Sequence, residues 1–217
     1  MTEYSDRSAW TALGTATISD ALDKLGIAGQ CFGIAPLVPG TPLAGNAFTV
    51  RYGPVGQVKG TVGDYIDDVP AGGVVVLDNG GRLDATVWGD ILTEVAHERG
   101  IAGTVIDGVC RDTDVARSLA YPISSRSHWM RTGKDRVQVE AVAAPVAIGG
   151  VRIEHADWIV GDADGVVAIP AARMAEVFDV ARAIDDAEAQ IRELVRAGRR
   201  LDEARREIGY HTLQSRP

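Results

Sequence analysis

The stretch from residue 73 to residue 107 constrains the fold more than any other part of the chain. Residues 73–78 form an apolar run that ends in Asp78, residues 79–81 (Asn-Gly-Gly) interrupt it, residues 90–99 have helical spacing, and residues 104–107 are apolar again. Two buried-type strands joined by a helix predict a parallel pair with a right-handed crossover. Both strands then end at the same sheet edge, where ligands of such sheets bind, so the loops 79–81 and 108–112 are predicted to face one crevice.

The patterns outside this unit predict further helices and strands. Thr17 and Asp20 resemble a capping box at the start of a helix. Asp164-Gly165 is typical of a turn between two short strands. The predicted helices cover residues 17–25, 61–68 and 171–197, and the further predicted strands cover residues 47–52, 137–142, 146–153, 158–160 and 166–169.

The terminal helix sets the predicted domain boundary. Its apolar stripe runs uninterrupted by proline from residue 171 to residue 197, and Gly198 ends it. A helix of that length exceeds what one small sheet covers, so part of the stripe is expected to rest on a second subunit. We therefore expect one α/β domain over residues 1–170 and a helical extension over residues 171–217 that packs on the core or on a neighbouring subunit.

Composition and charge exclude several classes of function. The chain has 217 residues, 22 basic and 30 acidic, and a formal net charge of −8, which argues against a nucleic-acid partner. No segment approaches eighteen consecutive apolar residues, and the amino-terminal residues do not resemble a signal peptide, so neither membrane insertion nor secretion is expected. Two cysteines without a CxxC spacing indicate neither a disulfide framework nor a zinc cluster. A cytoplasmic protein is expected.

The candidate chemistry lies where the predicted helix begins. Asp90 opens that helix, and the backbone N–H groups of Asp90, Ile91 and Leu92 lack intrahelical acceptors, so together with the helix dipole they form a site for a small carboxylate. Arg111 arrives from the neighbouring loop and can hold a carboxylate or a developing enolate oxygen with two donors. Asp112 can hold Mg²⁺ or Mn²⁺, because these ions bind one or two carboxylates and keep much of their water.

Each of these residues also has a purely structural interpretation. Asp90 is compatible with a helix N-cap. Arg111 and Asp112 are compatible with a surface ion pair. Asp78 and Asp107 are compatible with turn residues at strand ends, and residues 79–81 lack the lysine and the spacing of a phosphate-binding loop.

Several runs of residues together resemble a known family. These are residues 74–81 (VVVLDNGG), 85–90 (ATVWGD), 99–103 (RGIAG), 106–112 (IDGVCRD) and 161–170 (GDADGVVAIP). They are similar to the family of 4-hydroxy-4-methyl-2-oxoglutarate aldolases and regulators of ribonuclease activity A. The family signature is an aspartate, twenty residues, and then Arg-Asp, and Asp90 followed by Arg111-Asp112 has this spacing.

The resemblance implies a fold and an activity. The fold is a β/β/α swivelling-type α/β domain with a long carboxyl-terminal helix, assembled as a homotrimer or homohexamer. The activity is that of a class II, divalent-metal-dependent pyruvate aldolase, acting on 4-hydroxy-4-methyl-2-oxoglutarate or 4-carboxy-4-hydroxy-2-oxoadipate, with oxaloacetate decarboxylase activity. The alternative that the family offers is a non-catalytic, protein-binding regulator of an RNA-degrading endonuclease.

The resemblance also implies roles for individual residues. Asp90 and Arg111 are implied as catalytic, Asp90 by ordering a water for proton transfer and Arg111 by stabilising the pyruvate enolate. Asp112 is implied to hold Mg²⁺ or Mn²⁺, with Glu188 from a neighbouring subunit as a further metal ligand. The substrate, a small 2-oxo acid, is implied to bind at Gly89, Asp90, Ile91, Leu92 and Arg111.

Overall fold

A computed structural model describes Tyr4, residues 6–58 and residues 60–210. The helices are α1 (Arg7–Lys24), α2 (Asp90–Glu98), α3 (Thr113–Ser118), α4 (Met174–Arg196) and α5 (Leu201–Ile208). The strands are β1 (Ala35–Pro36), β2 (Leu43–Pro54), β3 (Val74–Asp78), β4 (Gly103–Cys110), β5 (Ile123–His128), β6 (Val137–Val142), β7 (Val146–Ile148), β8 (Val151–Ile153), β9 (Trp158–Gly161) and β10 (Val166–Ile169).

The main sheet confirms the predicted parallel unit. Its strands follow the order β1-β5-β4-β3-β2-β9-β10, and β6 also pairs with β2. Strands β3 and β4 are parallel, with Asp78 directly opposite Asp107, and α2 connects them. β9 and β10 form the hairpin expected around Asp164-Gly165. The unit of strand, helix and strand therefore brings the residues that follow β3 and β4 to one edge of the sheet.

The sheet has a layer on each face. Because side chains alternate along a strand, Val75 and Leu77 point to one face of β3 and Val74 and Val76 to the other. The first pair belongs to a core shared with α2 and α3, and the second pair packs against the β7–β8 hairpin. The hairpin, the sheet and the helices form three layers, so the predicted β/β/α fold class is confirmed.

The two longest helices build a third core beside β9 and β10. Trp10 of α1 is completely buried and meets Phe178 of α4 edge to face, with 5.0 Å between ring centroids. The long terminal helix is thus present and packs on its own chain. Residues 211–217 of the predicted extension lie outside the described residues, and the boundary at residue 170 stays a prediction. No helix in the described ranges is both long and apolar enough to cross a membrane.

The predicted start of the first helix is wrong. Helix α1 begins at Arg7, where the Asp6 side chain accepts from the Ser8 amide, so the expected capping box at Thr17 lies inside the helix. The helix breaks at Gly14, which has φ 76° and ψ 154°. After the break, Thr15 donates its amide and hydroxyl to Asp162, at 2.7 and 2.6 Å. Asp162 is the residue that follows β9. It accepts the Thr15 amide at the start of the second helical segment of α1, where an amide has no intrahelical acceptor.

Other boundaries also differ from the sequence pattern. Residues 146–153 form the β7–β8 hairpin instead of one strand, because Gly149 and Gly150 have φ values of 55° and 84° and turn the chain back. The helix predicted over residues 61–68 is a short 3-10 helix, Asp64–Asp68. β4 continues to Cys110, so three of the five residues of the expected 108–112 loop are strand.

Candidate active site

The segment that leads into α2 runs alongside the end of β4. Thr86 pairs with Val109 in a parallel bridge, and the Val87 amide donates to the Val109 carbonyl at 3.4 Å. The Arg111 amide donates to the Trp88 carbonyl at 3.0 Å. These backbone bonds hold the residues that begin α2 against the residues that leave β4.

Asp90, Arg111 and Asp112 consequently lie in contact. Asp112 Oδ2 accepts from the Asp90 amide at 3.3 Å and lies 3.2 Å from Arg111 Nε. Asp112 has φ 55° and ψ 42°, a left-handed conformation that aspartate tolerates better than most residues. The conformation turns its carboxylate toward the start of α2, so the side chains of Arg111 and Asp112 lie beside the backbone of Asp90 although twenty residues separate them in the sequence.

Gly89 makes this contact sterically possible. A Cβ atom added to Gly89 would lie 2.8 Å from Asp112 Oδ2 and 3.2 Å from Arg111 Nε. Its backbone is extended, with φ −150°, so the requirement for glycine at this position is one of space. Gly89 is also the N-cap of α2, and the interpretation of Asp90 as the N-cap is therefore wrong: Asp90 is the first helical residue.

The amides expected to bind a carboxylate already face carboxylates of the chain. The Asp90 amide donates to Asp112, and the Ile91 amide donates to Asp90 Oδ1 at 2.9 Å. The Leu92 amide has no acceptor among the residues that the structure describes. Two carboxylate oxygens therefore lie at the start of α2, where the helix dipole favours negative charge. Of the three amides, that of Leu92 has no partner among the described residues and can bind a ligand.

Two residues whose structural role the sequence did not predict, Trp88 and Thr93, hold the start of α2 in place. Thr93 is buried, accepts from Trp88 Nε1 at 2.9 Å and donates its hydroxyl to the Gly89 carbonyl at 2.8 Å. The Trp88 ring stacks on Tyr121, with centroids 6.3 Å apart. Trp88 belongs to the run 85–90 that carries the family resemblance, but its contact with Thr93 gave no local signal, because that contact depends on how the chain enters α2.

A cavity of about 650 Å³ opens over the start of α2. Its lining includes Gly89, Asp90, Ile91, Leu92 and Arg111, which are the residues predicted to bind substrate. The lining also includes residues 60–64, 66–67 and 132–134, among them Asp64 and Lys134, which the sequence did not indicate. Asp112 faces a second, adjoining cavity of about 390 Å³ that Arg111 shares. Arg111 lines both cavities, and Asp112 Oδ2 lies beside Gly89 of the larger one.

The donor set fits a divalent ion held by one carboxylate. No cluster of three or more His, Cys, Asp or Glu side chains suited to a metal occurs among the described residues. Asp112 is about one third exposed, at 36%, and only its Oδ2 is engaged. A single accessible carboxylate completed by water and ligand oxygens is a common arrangement for Mg²⁺.

Glu188 lies apart from Asp112 in this chain. It accepts from Arg192 at 3.2 Å and from Tyr210 at 3.3 Å, and it lines neither of the two cavities beside Arg111. Its role as a ligand contributed by a neighbouring subunit stays a prediction.

Asp78 and Asp107 serve the opposite face of the sheet. Asp107 accepts from Arg126 and from the Gly149 amide, the latter at 2.8 Å. Asp78 accepts from the Ala147 amide at 3.0 Å. The loop 79–81 binds the Asp107 carbonyl and packs beside Gly108, as expected for loops at one sheet edge, but it lines neither of the two cavities beside Arg111. These two aspartates hold the β7–β8 hairpin.

Neither thiol is placed for nucleophilic chemistry. Burial raises the pKa of Cys110 to about 11, and burial together with the nearby Asp107 charge raises the pKa of Cys31 to about 12. Both side chains are therefore protonated near neutral pH, and a thiolate is the reactive form of cysteine.

Comparison with known proteins identifies the family of this arrangement. The profile of the RraA-like family, described as Aldolase/RraA, matches residues 15–168. Over 200 residues the chain is 40% identical to Protein DlpA of Legionella pneumophila, covering 90% of this chain and 32% of DlpA. It therefore spans about a third of the length of that relative.

Two further similarities concern a shorter relative and a solved structure. A protein of Halalkalibacterium halodurans with the provisional name 4-hydroxy-4-methyl-2-oxoglutarate aldolase is 33% identical over 168 residues, which are 77% of this chain and 78% of that protein. The crystal structure of an uncharacterized protein from Pseudomonas syringae pv. tomato superimposes with a TM-score of 0.85 at 46% identity, covering 91% of this chain and 95% of that one.

Proposed function

The chain belongs to the RraA-like family, and on that premise we propose that it is a divalent-metal-dependent carbon–carbon lyase that releases pyruvate from a small 2-oxo acid. The observation that carries the proposal is the contact of Arg111 and Asp112 with the start of α2, beside a cavity large enough for such an acid. The provisional aldolase name of the Halalkalibacterium halodurans relative supports the same class of reaction. 4-Hydroxy-4-methyl-2-oxoglutarate, 4-carboxy-4-hydroxy-2-oxoadipate and oxaloacetate are the proposed substrates.

Substrate binding follows from the donors at the start of α2. The carboxylate of the 2-oxo acid accepts from the open Leu92 amide and from the Ile91 amide, where it replaces the Asp90 carboxylate. The partial positive charge of the helix terminus favours this exchange of one carboxylate for another. Asp90 is then free to orient water. Arg111, which lines the same cavity, places its guanidinium against the keto oxygen of the bound acid.

Asp112 is the residue that would hold the metal, and an Mg²⁺ or Mn²⁺ ion bound there supplies Lewis-acid polarisation of the keto group. A further ligand, Glu188, is proposed to come from a second copy of the chain in a homotrimer or homohexamer. Its own contacts within one chain, with Arg192 and Tyr210, leave it on α4 away from Asp112.

The chain's residues then stabilise one common intermediate. Retro-aldol cleavage breaks the C3–C4 bond, leaves the electron pair on the pyruvyl fragment as an enolate, and releases the hydroxyl proton as the second fragment becomes a carbonyl compound. Decarboxylation of oxaloacetate releases carbon dioxide and leaves the same enolate. Arg111 offsets the charge that develops on the enolate oxygen. A water held by Asp90 delivers the proton that converts the enolate carbon into the methyl group of pyruvate.

Pyruvate release from the three substrates tests the proposal. We expect turnover with Mg²⁺ or Mn²⁺ and its loss with EDTA. Arg111→Ala should lower kcat/KM by about 100-fold or more, because the enolate loses its charged donor. The matched control is Arg152→Ala, since Arg152 is 73% exposed and lines neither cavity beside Arg111. Absence of turnover by the wild-type chain on every substrate with both ions would contradict the proposal.

The same assay separates the second function that the family name covers. A regulator that binds an RNA-degrading endonuclease does not need a charged site beside a cavity. If the chain inhibits such an endonuclease equally well as wild type and as Arg111→Ala, and releases no pyruvate, the regulatory role replaces the lyase. Loss of pyruvate release in Arg111→Ala, from an active wild type, supports the lyase.

A further inference from the structure

A cleft distinct from the two cavities beside Arg111 lies at the other end of α2, away from Asp90. It has a volume of about 530 Å³, and Gly100, which follows the end of α2, forms part of its wall together with Gly72 and Gly73. Arg7, Asn46 and His155 contribute the polar side chains. None of these residues belongs to the candidate active site, so the cleft requires an explanation of its own.

The charge of this cleft is opposite to that of the whole chain. The formal net charge is −8, yet the lining contains Arg7 and His155 and no aspartate or glutamate. The Arg7 guanidinium lies over Gly72, where an added Cβ would be 3.4 Å from Arg7 Nη1. The neighbouring Asp6 carboxylate binds Ser8 and is also attracted by the Arg7 charge, but among the described residues no carboxylate lies within ion-pair distance of the Arg7 guanidinium. An accessible guanidinium is therefore available to an anion.

The floor of the cleft is aromatic. Phe48 and Trp158 are buried, and the exposed His155 ring meets Phe48 edge to face with centroids 5.5 Å apart. Trp158 is only 5% exposed, and its Nε1–H has no acceptor within the described part of the chain. A buried donor without an acceptor costs about 1–3 kcal/mol. The aromatic surface that a ligand can reach is therefore mainly the exposed His155 ring, with Phe48 behind it, and the unsatisfied Trp158 N–H lies beneath the surface of the cleft.

We propose that this cleft binds a small organic anion with a planar body, such as an aromatic carboxylate. The guanidinium of Arg7 pairs with the carboxylate, and the planar body lies against the exposed His155 ring that packs on Phe48. Arginine holds a carboxylate with two donors, and aromatic rings favour offset or edge-on neighbours, so both halves of the ligand have a matching surface. This proposal is independent of the lyase function.

Benzoate is the probe for a direct test, with benzamide as its neutral analogue. Calorimetric titration of the wild-type chain with benzoate should be saturable, and benzamide should bind at least about tenfold more weakly because it lacks the charge. The indole N–H resonance of Trp158, identified by its absence in Trp158→Phe, should shift during the benzoate titration and reach a plateau with the same dissociation constant.

Two arginine variants decide whether the cleft is the site. Arg7→Gln should raise the benzoate Kd by about tenfold or more, because it removes the charge that pairs with the carboxylate. Arg152→Gln, which alters an exposed arginine paired with Glu154 outside the cleft, should leave the Kd unchanged. Arg7 is exposed at the first turn of α1, so the variant should fold, and its thermal unfolding midpoint checks this. Absence of saturable binding to the wild type, or an unchanged Kd in folded Arg7→Gln, would overturn the proposal.

Discussion

Two pairs of aspartates near the ends of β3 and β4 show how differently the same side chain is used. On the hairpin face, Asp78 and Asp107 each have donors on both carboxylate oxygens, from backbone amides and from Arg126. On the helical face, Asp90 and Asp112 each accept through one oxygen, and the other oxygen has no donor among the described residues. All four carboxylate oxygens of the first pair thus accept hydrogen bonds from the chain, whereas each member of the second pair keeps one oxygen available among the described residues.

This difference separates a structural carboxylate from one that can bind a ligand. A carboxylate whose oxygens are all satisfied by its own chain stabilises the fold, and a metal or substrate could reach it only by breaking those bonds. An open oxygen beside a cavity has no such barrier. Substitutions in the two regions should therefore separate into losses of stability and losses of activity.

The largest expected effect is on activity at Asp112. Asp112→Asn keeps a residue that tolerates the left-handed backbone conformation and removes the charge that would hold the ion. We expect kcat/KM for pyruvate release to fall by about 1,000-fold or more, which corresponds to about 4 kcal/mol, while the free energy of unfolding in urea stays unchanged. A stability loss as large as the activity loss would place Asp112 with the structural pair.

Asp107 should show the opposite behaviour. It is 5% exposed and pairs with Arg126, so Asp107→Ala leaves a partly buried guanidinium and the Gly149 amide without their acceptor. We expect the free energy of unfolding to fall by about 3 kcal/mol, measured by urea titration. The control is Asp114→Ala, whose exposed pair with Arg117 should contribute almost nothing. Equal effects of the two substitutions would contradict the assignment.

Gly89 tests the contact itself without touching a charged side chain. The methyl group of Gly89→Ala would meet the end of the Asp112 side chain at 2.8 Å, and that flexible end can move aside. We expect a loss of about 10- to 100-fold in kcat/KM, or about 1.4–2.7 kcal/mol, with little change in stability. Gly56→Ala is the matched control, because nothing lies closer than 3.8 Å to the added atom. Full activity in Gly89→Ala would show that the contact is dispensable.

The smallest expected effect concerns Asp162, another carboxylate occupied by the fold. Burial alone raises the pKa of Asp162, but the hydrogen bonds from Thr15, Asp164 and Gly165 together outweigh burial and lower it. The folded state therefore holds the ionised form more tightly than the unfolded state does. Its contribution is present above the unfolded pKa of about 3.9 and is lost as the pH falls through the lower folded value.

Comparison of Asp162→Asn with the wild type measures this contribution. We expect the variant to be less stable by about 1–2 kcal/mol near neutral pH, because the ionised acceptor is gone. The difference in the free energy of unfolding should shrink as the pH falls below about 4, since the wild-type carboxylate then becomes neutral as well. A difference that stays constant down to strongly acidic pH would contradict the assignment of a lowered pKa.

Local patterns in the sequence were sufficient to predict the central unit of the fold. The apolar runs before Asp78 and Asp107, with a helical segment between them, predicted a parallel pair, and the structure confirms the pair. The same geometry explains why Asp90 and Arg111-Asp112 meet although twenty residues separate them. The roles assigned to these residues, and to Glu188, stay predictions.

The features that the sequence analysis missed depend on contacts between distant segments. Asp162 lies 147 positions from Thr15, and its hydrogen bonds with Thr15 stabilise the helical segment that follows the break at Gly14. No local sequence pattern predicts this contact. Alternation alone does not distinguish Asp78 and Asp107, whose oxygens accept from the hairpin and also from Gly80 and Arg126, from an open pair at the same edge. The Trp88–Thr93 contact is likewise fixed by three-dimensional packing of the α2 entrance.

The twelve-residue strand β2 has a consequence for how the molecule comes apart. It pairs with β9 through residues 43–46, with β3 through residues 47–51 and with β6 through residues 50–54. Separating β2 from the sheet breaks its hydrogen bonds to β3, β6 and β9 together. Its central amides should therefore exchange with deuterated solvent only when the whole chain unfolds. The cleft beside Arg7, which residues 46–48 of β2 help to line, and the candidate active site at the start of α2, which follows β3, should therefore be lost in one cooperative unfolding transition.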